Sequence, residues 1–382
     1  MAAPQLNSYH IIAGISPSDG GPSYSVPTLV DGLCNLGVES TALTVRSSEH
    51  VQEFSNNVKY FAHDLKAFPL LNSLRFSSQM KRYGVSVIQK TDIIHNHGLW
   101  LAPNTYAGLI SKTTNAPLFI SPRGMLSKVS LNFSKFKKEL AWRYWQKRAL
   151  SSIACVHATS EMEADEVRDF GITAPVVVIP NGVDLIDLRV FPRNEYSNSR
   201  KRRFTYLGRI HPKKGLVRLL RAWALIQDAG LPDIELQICG PDENNHVSEL
   251  RAFVRSNRLQ NVVFLDAKYG DAKWRLLRDS DVFVLPTKNE NFGIVVAEAM
   301  SAGIPSIVTK GAPWQELNSL NLGWWVDQTD QAISEAILAA SRTPIAELES
   351  MGKKCRVHAA KNYSWHSVCE KMRDAYNEFG NT

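Results

Sequence analysis

Short apolar runs of strand length alternate with helical patterns from one end of the 382-residue chain to the other. This alternation constrains the fold more than any other feature. In the first half the runs are His10–Gly14, Thr41–Val45, Asp92–His95, Pro117–Ser121, Ala154–Ala158 and Val176–Ile179. In the second they are Phe204–Leu207, Ile234–Cys239, Val262–Leu265, Asp281–Leu285 and Ser306–Thr309. Several are apolar at successive positions, as parallel strands buried on both faces require. After Gly215, Leu216, Leu219, Leu220, Trp223 and Ile226 form one apolar stripe at helical spacing. Strands alternating with helices imply an α/β protein with parallel sheets.

The rhythm breaks once. Asn181-Gly182 is a turn signal, and Asn194–Arg203 is polar, basic and aperiodic. The expected organisation is an α/β domain over 1–183, a linker over 184–200, a second α/β domain over 201–363, and a closing segment over 364–382. Two such domains facing one another would place a ligand in the cleft between them, at the carboxyl ends of both sheets. With 44% hydrophobic and 21% charged residues, the chain is neither disordered nor fibrous. No run approaches the 18 apolar residues of a bilayer span, and the start MAAPQLNSYH shows no secretory pattern. Five scattered cysteines without a C-x-x-C suggest reduced, mostly buried thiols in a cytoplasmic protein, and no zinc site. The net charge of +7 favours anionic partners: nucleotides, phospholipid headgroups or nucleic acid.

The most informative segment is Glu290–Met300, ENFGIVVAEAM, which follows the strand DVFVLP. If every step between Glu290 and Glu298 were helical, the two would stand about 12 Å apart along the axis. With Asn291–Gly293 as a turn, Glu290 bends over the helix start while Glu298 emerges from the helix itself. Backbone N–H groups near Phe292–Ile294 and the helix dipole would then meet a phosphate lying between them. The alternative is an acidic turn and a surface glutamate. A second segment, Tyr206–Gly215 (YLGRIHPKKG), is a strand, a loop with two candidate cations and a helix start. Arg209 and Lys214 could converge on a diphosphate there, or form a solvated basic loop.

Y-L-G-R-x4-K-G, then L-Q-I-C-G-P, then L-P-T-x-x-E-N-F-G-x4-E-A-M-x-x-G-x-P resembles the retaining glycosyltransferases of family 4, and the likeness runs over nearly the whole chain. These have the GT-B architecture of two facing Rossmann-like domains. The resemblance implies that Arg209 and Lys214 hold the donor diphosphate. It implies that Glu298 binds ribose hydroxyls, that Glu290 binds the sugar ring near the reacting carbon, and that Asn291, Phe292, Gly293 and Ile294 meet sugar and phosphate. Tyr269 lies where the family often places the base. Ser16–Ser23 (SPSDGGPS) puts Gly20 and Gly21 in a loop that in this family commonly faces phosphate or acceptor. By the same resemblance His97, in His95-Asn96-His97-Gly98, contacts the donor sugar and acts in catalysis with Glu290, Arg209 and Lys214.

Ser121–Leu126 (SPRGML), with HGLW and Gly311-Ala312-Pro313-Trp314, resembles family members that build lipopolysaccharide and exopolysaccharide. Arg123 could meet an acceptor phosphate or brace its loop. Between Lys135 and Arg148 six basic residues interleave with Phe136, Trp142, Tyr144 and Trp145. This reads as a surface for anionic membrane or a lipid-linked acceptor, or as an ordinary solvated face. Asp279-Ser280-Asp281 matches the metal-binding D-x-D of glycosyltransferases of the other common fold, yet it directly precedes a buried strand. No essential metal and no cofactor are expected.

The expected function is retaining transfer of a hexose from a nucleoside diphosphate donor, UDP-glucose first and GDP-mannose second. The acceptor is a glycan or lipid-linked saccharide of surface polysaccharide synthesis, at the inner face of the cytoplasmic membrane, without nucleic acid. The alternatives are a sugar-nucleotide 2-epimerase of the same fold and a non-catalytic basic binding module. A phosphorylase of the glycogen type is disfavoured by the short chain.

Overall fold

The computed structural model describes residues 6–16, 19–46, 55–65, 67–132, 135–193, 201–230 and 232–380. It divides into two compact units, Met1–Gly182 with Trp365–Thr382, and Val183–Ser364.

In the first unit seven strands form one parallel sheet. They are β1 (Asn7–Ile12), β2 (Glu39–Val45), β3 (Val58–Phe61), β4 (Ile93–His97), β5 (Leu118–Ser121), β6 (Ile153–Ala158) and β7 (Val176–Val178), in the order β3-β2-β1-β4-β5-β6-β7. Side chains such as Leu43, Ile94, Phe119 and Ile120 are fully buried between the helical layers. The C-terminal helix Trp365–Phe379 belongs to this unit and lies on the helix Pro22–Asn35 with Val368, Cys369, Met372 and Tyr376 buried.

In the second unit six parallel strands, β8 (Arg202–Leu207), β9 (Ile234–Cys239), β10 (Val262–Leu265), β11 (Val282–Leu285), β12 (Ser306–Thr309) and β13 (Gly323–Val326), run in the order β10-β9-β8-β11-β12-β13. The stripe Leu216, Leu219, Leu220, Trp223 and Ile226 is completely buried on the helix Leu216–Asp228. Both sheets have the doubly wound order, with the reversal at β1/β4 and at β8/β11. At such a reversal the loops leaving adjacent strands diverge to opposite faces and open a crevice.

Three expectations change. β3 and β13 were not read from the sequence: both are only four residues long and mostly only partly buried, VKYF is interrupted by Lys59, and GWWV is too short a run to stand out. Strand starts shift by a few residues, β1 beginning at Asn7 and β4 ending at His97 rather than His95. The expected linker begins inside the second unit, because Ile186 and Phe191 pack into its core and Arg193 Nη2 binds Asp281 Oδ1 at 2.5 Å. Residues 194–200 of that linker, and Pro17 and Ser18 of the SPSDGGPS loop, lie outside the described residues.

The five cysteines are unpaired; Cys155, Cys239, Cys355 and Cys369 are buried and Cys34 is half-buried. No helix among the described residues is long and apolar enough to cross a membrane.

Candidate functional site

The loop after β8 and the loop after β11 meet at the second unit's strand reversal. The β8 loop ends in a single 3₁₀ turn, Pro212–Lys214, whose start is closed by the Lys213 N–H donating to His211 Nδ1 at 3.0 Å. Burial, helped by Lys213 and Arg209 and opposed by Glu243, lowers the His211 pKa. Gly215 follows at φ +74°, and a Cβ there would stand 2.0 Å from the Pro286 carbonyl oxygen. Only glycine lets the two loops approach this closely. The approach is sealed by the Lys288 N–H donating to the Lys213 carbonyl at 3.0 Å.

Lys214 Nζ donates to Glu290 Oε2 across this contact, with both side chains mostly buried. Glu290 is set from the other side by the loop after β12. Its N–H donates to the Gly311 carbonyl at 2.7 Å, and Trp314 Nε1 donates to the Phe292 carbonyl at 2.6 Å. Phe292 packs on Trp314 and Tyr363, ring centroids 5.1 and 5.7 Å away. Gly293, at φ +78°, turns the chain into the helix Ile294–Ser301. Glu290 therefore sits before the helix and Glu298 inside it. The helix N-terminus, with its partial positive charge, opens beside the Lys214–Glu290 pair.

Glu298 Oε1 accepts from Lys273 Nζ at 2.7 Å. Burial raises the Glu298 pKa, with Lys273 opposing. Arg209 does not join Lys214: its guanidinium lies in the β8 loop, more than half exposed, and binds Glu243 at 2.9 Å. Tyr269 precedes the helix Gly270–Arg278 and is 70% exposed. Asp281 is buried and serves structure, holding Arg193 and accepting from the Arg203 N–H at 2.7 Å. That removes the exposed carboxylate pair a D-x-D metal site needs.

The first unit's reversal is built differently. His10 and His95 are register partners on β1 and β4, with His97 two residues on. Arg123, in a left-handed backbone conformation at φ 57° after β5, lies beside them. Its Nη2 meets His97 Nδ1 at 3.1 Å and its Nη1 donates to Asn181 Oδ1 at 2.6 Å. A guanidinium can only donate, so His97 Nδ1 accepts and its proton is on Nε2. His97 Nε2 then donates to His10 Nδ1 (3.0 Å), and His10 Nε2 to Ser8 Oγ (3.2 Å).

A second chain is fixed from its far end. The Ile179 carbonyl can only accept, so His157 Nε2 donates to it at 2.8 Å. His157 Nδ1 then accepts from Ser121 Oγ at 2.7 Å. Ser121 accepts from His95 Nε2 at 2.7 Å, and His95 Nδ1 from the Tyr376 hydroxyl at 2.6 Å. All four rings are neutral. Burial, with the Arg123 charge adding, pushes His10 and His157 down to about 3, and lowers His95 and His97 well below the ordinary histidine value. Burial also lowers Arg123, to about 10, which leaves it charged at neutral pH.

The ligand atoms of His10, His95 and His97 lie within 4.8 Å of one another, a count and spacing that could hold a metal ion. Each unprotonated ring nitrogen is already accepting a hydrogen bond, however, and Arg123 places a positive charge against the cluster. His97 is 3% exposed with both nitrogens engaged. A new partner would have to exchange for one of these bonds; in the ligand-free chain His97 lines the first unit's cavity and accepts from Arg123.

Gly14, Asp19, Arg75, His97, Arg123 and Met125 line a cavity of about 390 Å³ in this unit. Asp19 pairs with Arg75. Gly20, at φ 84°, and Gly21 lead from Asp19 into the helix Pro22–Asn35, at the first unit's strand reversal.

The sequence reading missed His10, Asp19, Arg75, Glu243 and Lys273. For His10 a signal existed, a histidine inside an otherwise apolar buried strand. For Arg75, Glu243 and Lys273 there was none, since each is an ordinary charged residue until the fold supplies its partner.

Two family models match, "Glycosyltransferase Family 4" over residues 19–186 and "Glycosyl transferases group 1" over residues 190–358. Among curated relatives, the GDP-mannose:cellobiosyl-diphosphopolyprenol alpha-mannosyltransferase of Xanthomonas oryzae is 25% identical, covering 77% of this chain and 76% of its own. The D-inositol 3-phosphate glycosyltransferase of Corynebacterium efficiens is 24% identical, covering 96% and 92%. Among solved structures, sucrose-phosphate synthase from Thermosynechococcus elongatus superposes with a TM-score of 0.77 at 18% identity, covering 98% of each chain. Anabaena HepE in complex with UDP and glucose superposes at 0.70 and 16% identity, covering 98% of this chain and 100% of that one.

Proposed function

The chain belongs to the family 4 glycosyltransferases, with the GT-B fold, and we propose that it moves a hexose from a nucleoside diphosphate to a hydroxyl of a lipid-linked glycan, with retention. The observation that carries the reading is the Lys214–Glu290 pair at the second unit's strand reversal, beside the start of the helix Ile294–Ser301.

An incoming diphosphate competes with Glu290 for Lys214, and Arg209 can leave its exposed pairing with Glu243 at little cost. Glu290, released from Lys214, turns its carboxylate to sugar hydroxyls. Glu298 binds the ribose while Lys273 favours its charged form against burial, Tyr269 borders the base, and the backbone of Asn291–Ile294 meets sugar and phosphate. Gly20 and Gly21 give the first unit a close backbone approach to its ligand, and Arg123 faces an acceptor phosphate.

In the transfer the bond from the anomeric carbon to the diphosphate oxygen breaks. The acceptor oxygen bonds that carbon on the same face, and its proton passes to the departing phosphate. Negative charge grows on the leaving group, where Lys214, Arg209 and the helix N-terminus stabilise it best. These groups supply the stabilisation without a metal ion or cofactor.

The sugar nucleotides named in the two sets of relatives differ. The mannosyltransferase relative's name supports GDP-mannose, whereas the Anabaena neighbour crystallised with UDP-glucose is 17% identical and bears on the fold alone, so GDP-mannose takes first place and UDP-glucose second. A thermal-shift screen of GDP-mannose, UDP-glucose, GDP and UDP, with and without Mg²⁺, tests the donor site, because a ligand that binds only the folded state raises the melting temperature. A shift with one base, independent of Mg²⁺ and lost in Lys214→Ala, is the expected result. No shift with any of them would overturn the assignment.

A further inference from the structure

A second cavity, of about 500 Å³, lies in the first unit beside the one lined by Arg75 and Arg123, and its walls are mostly apolar, with Thr105 and Arg148 among them. Leu74, Phe76, Trp100, Leu109, Tyr144 and Trp145 form most of it. The two cavities share a wall made of two short segments whose residues are divided between them. In the first segment Ser73 and Arg75 line the polar cavity, and Leu74 and Phe76 the apolar one. In the second, Leu99, Leu101 and Asn104 line the polar side, and Trp100, Ala102 and Thr105 the apolar side. A guanidinium pocket and a hydrocarbon-lined groove therefore lie one residue apart along the chain.

The outer wall of the groove is unusual. Trp142–Gln146 is a π-helical turn, a geometry that costs regular hydrogen bonding and recurs at functional sites. Gln146 ties it inward, its Oε1 accepting from the Trp100 N–H at 3.2 Å. Tyr144 and Trp145 are left 68% and 41% exposed, and Leu109 opposite them 39%. Exposed aromatic and aliphatic side chains gathered at a cavity mark a ligand or membrane contact. The charge around them has one sign. Between Ile93 and Leu150 the chain carries nine lysines and arginines and a single acidic residue, Glu139. Arg143, Lys147 and Arg148 are exposed on the segment that forms the groove's rim.

We propose that this groove binds the hydrocarbon chain of an anionic lipid phosphate, the anchor of the acceptor, while the phosphate lies in the adjoining cavity at Arg75 and Arg123. The inference rests on the lipid-linked acceptor reading and adds the site that grips the lipid. It differs from adsorption to a charged membrane surface, because the groove takes up individual methylene groups and so reads chain length.

The test uses the full chain and a C15 isoprenyl monophosphate carrying a diazirine. After irradiation, peptide mapping should place the label within residues 74–76, 99–109 and 142–149. Unlabelled C5, C10 and C15 isoprenyl phosphates should compete with affinity rising at least tenfold per isoprene unit, since each buried methylene is worth up to about fourfold. Thr105→Trp, which fills the groove from a half-buried position, should cut labelling at least tenfold. The double change Arg143→Glu and Lys147→Glu should leave the labelled peptides the same. Labelling that ignores Thr105→Trp, or that the charge reversal alone abolishes, would overturn the groove in favour of surface adsorption. Inorganic pyrophosphate competing as well as the C15 compound would overturn it in favour of headgroup recognition alone. A retained thermal shift with nucleotide in Thr105→Trp shows that the variant is folded. It also keeps the fate of the groove separate from that of the donor site.

Discussion

The two strand reversals of this molecule solve the same problem with opposite electrostatics. In the second unit, charges meet across loops. Lys214–Glu290 and Lys273–Glu298 are mostly buried pairs and Arg209–Glu243 is largely exposed. In the first unit, four neutral histidines are threaded into two directed hydrogen-bond chains whose ends are fixed by Arg123 and the Ile179 carbonyl. An ion pair can exchange a carboxylate for a phosphate without changing its cation. A chain of neutral rings with fixed tautomers cannot accept a new partner without breaking a bond. The first arrangement suits a site that loads and releases an anion, and the second a frame that must stay still.

Lys214→Ala should break the comparison most severely. If Lys214 faces the leaving group as proposed, its loss is expected to lower kcat by about 10²–10³-fold, while circular dichroism stays near that of the parent and the melting temperature falls because Glu290 loses its partner. Steady-state kinetics with the donor found by thermal shift would check it, and a variant within threefold of the parent would remove Lys214 from the mechanism.

Acid should attack the first unit. Neutral buried histidines bind fewer protons folded than unfolded, so their contribution is complete above pH 6.5 and is lost as pH falls towards their folded values, about 3 for His10 and His157. Glu166, pushed up to about 7 by burial and its acidic neighbours, works in the other direction as pH falls from 7. Glu298, also raised, works in the same sense as Glu166. By pH 5.5 His10 and His157 should each cost about 1 kcal/mol, His95 and His97 act in the same direction, and the protein should be less stable than at pH 7.5. Urea unfolding at pH 7.5 and 5.5 gives the difference directly, and His10→Asn should flatten the dependence by about one proton.

Arg123→Met sharpens the contrast at a smaller scale. It leaves Asn181 and His97 Nδ1 without their donor, at an expected cost of about 2 kcal/mol, and it frees the His97 tautomer. Nitrogen-15 histidine spectra should show the Nε2-protonated form of His97 in the parent and a mixture in the variant, with Arg123→Lys between them. An unchanged tautomer would mean that Arg123 does not set the direction of the chain. The mildest change is Glu243→Gln. The Arg209–Glu243 pair is exposed, so stability should move by less than about 1 kcal/mol, with nucleotide affinity slightly raised because Arg209 is released. A weakened nucleotide shift would show that Glu243 positions Arg209 rather than competing for it.

Much of the second unit's strand reversal was legible in one dimension because its elements are local. Gly293 before an apolar helical run, Gly215 after Lys214 and Glu290 ahead of the turn all act within a few residues of where they stand. Glu290 and Glu298 fell on opposite sides of the helix start for the same reason. The first unit was less legible. His97 was picked out by the family resemblance, since a histidine at a strand end is by itself an ordinary structural residue. Only its neighbours from β1 and β5 reveal that both its nitrogens are occupied. The apolar groove was equally hidden. The aromatics at 142–145 were visible, but Leu74, Phe76 and Trp100 come from loops whose meeting no local pattern announces.

The sequence by itself determined the alternation of strand and helix, the parallel character of the buried runs and the two glycine-gated loops. Backbone propensity, burial periodicity and positive φ are properties of short segments. The tertiary structure alone decided partnership: Lys214 with Glu290 across 76 residues, His10 with His97 across 87, Tyr376 with His95 across 281. Those distances close only when the strands take their order in the sheet. That order follows from how crossover helices pack on both faces at once, a global balance that no single stretch of chain contains.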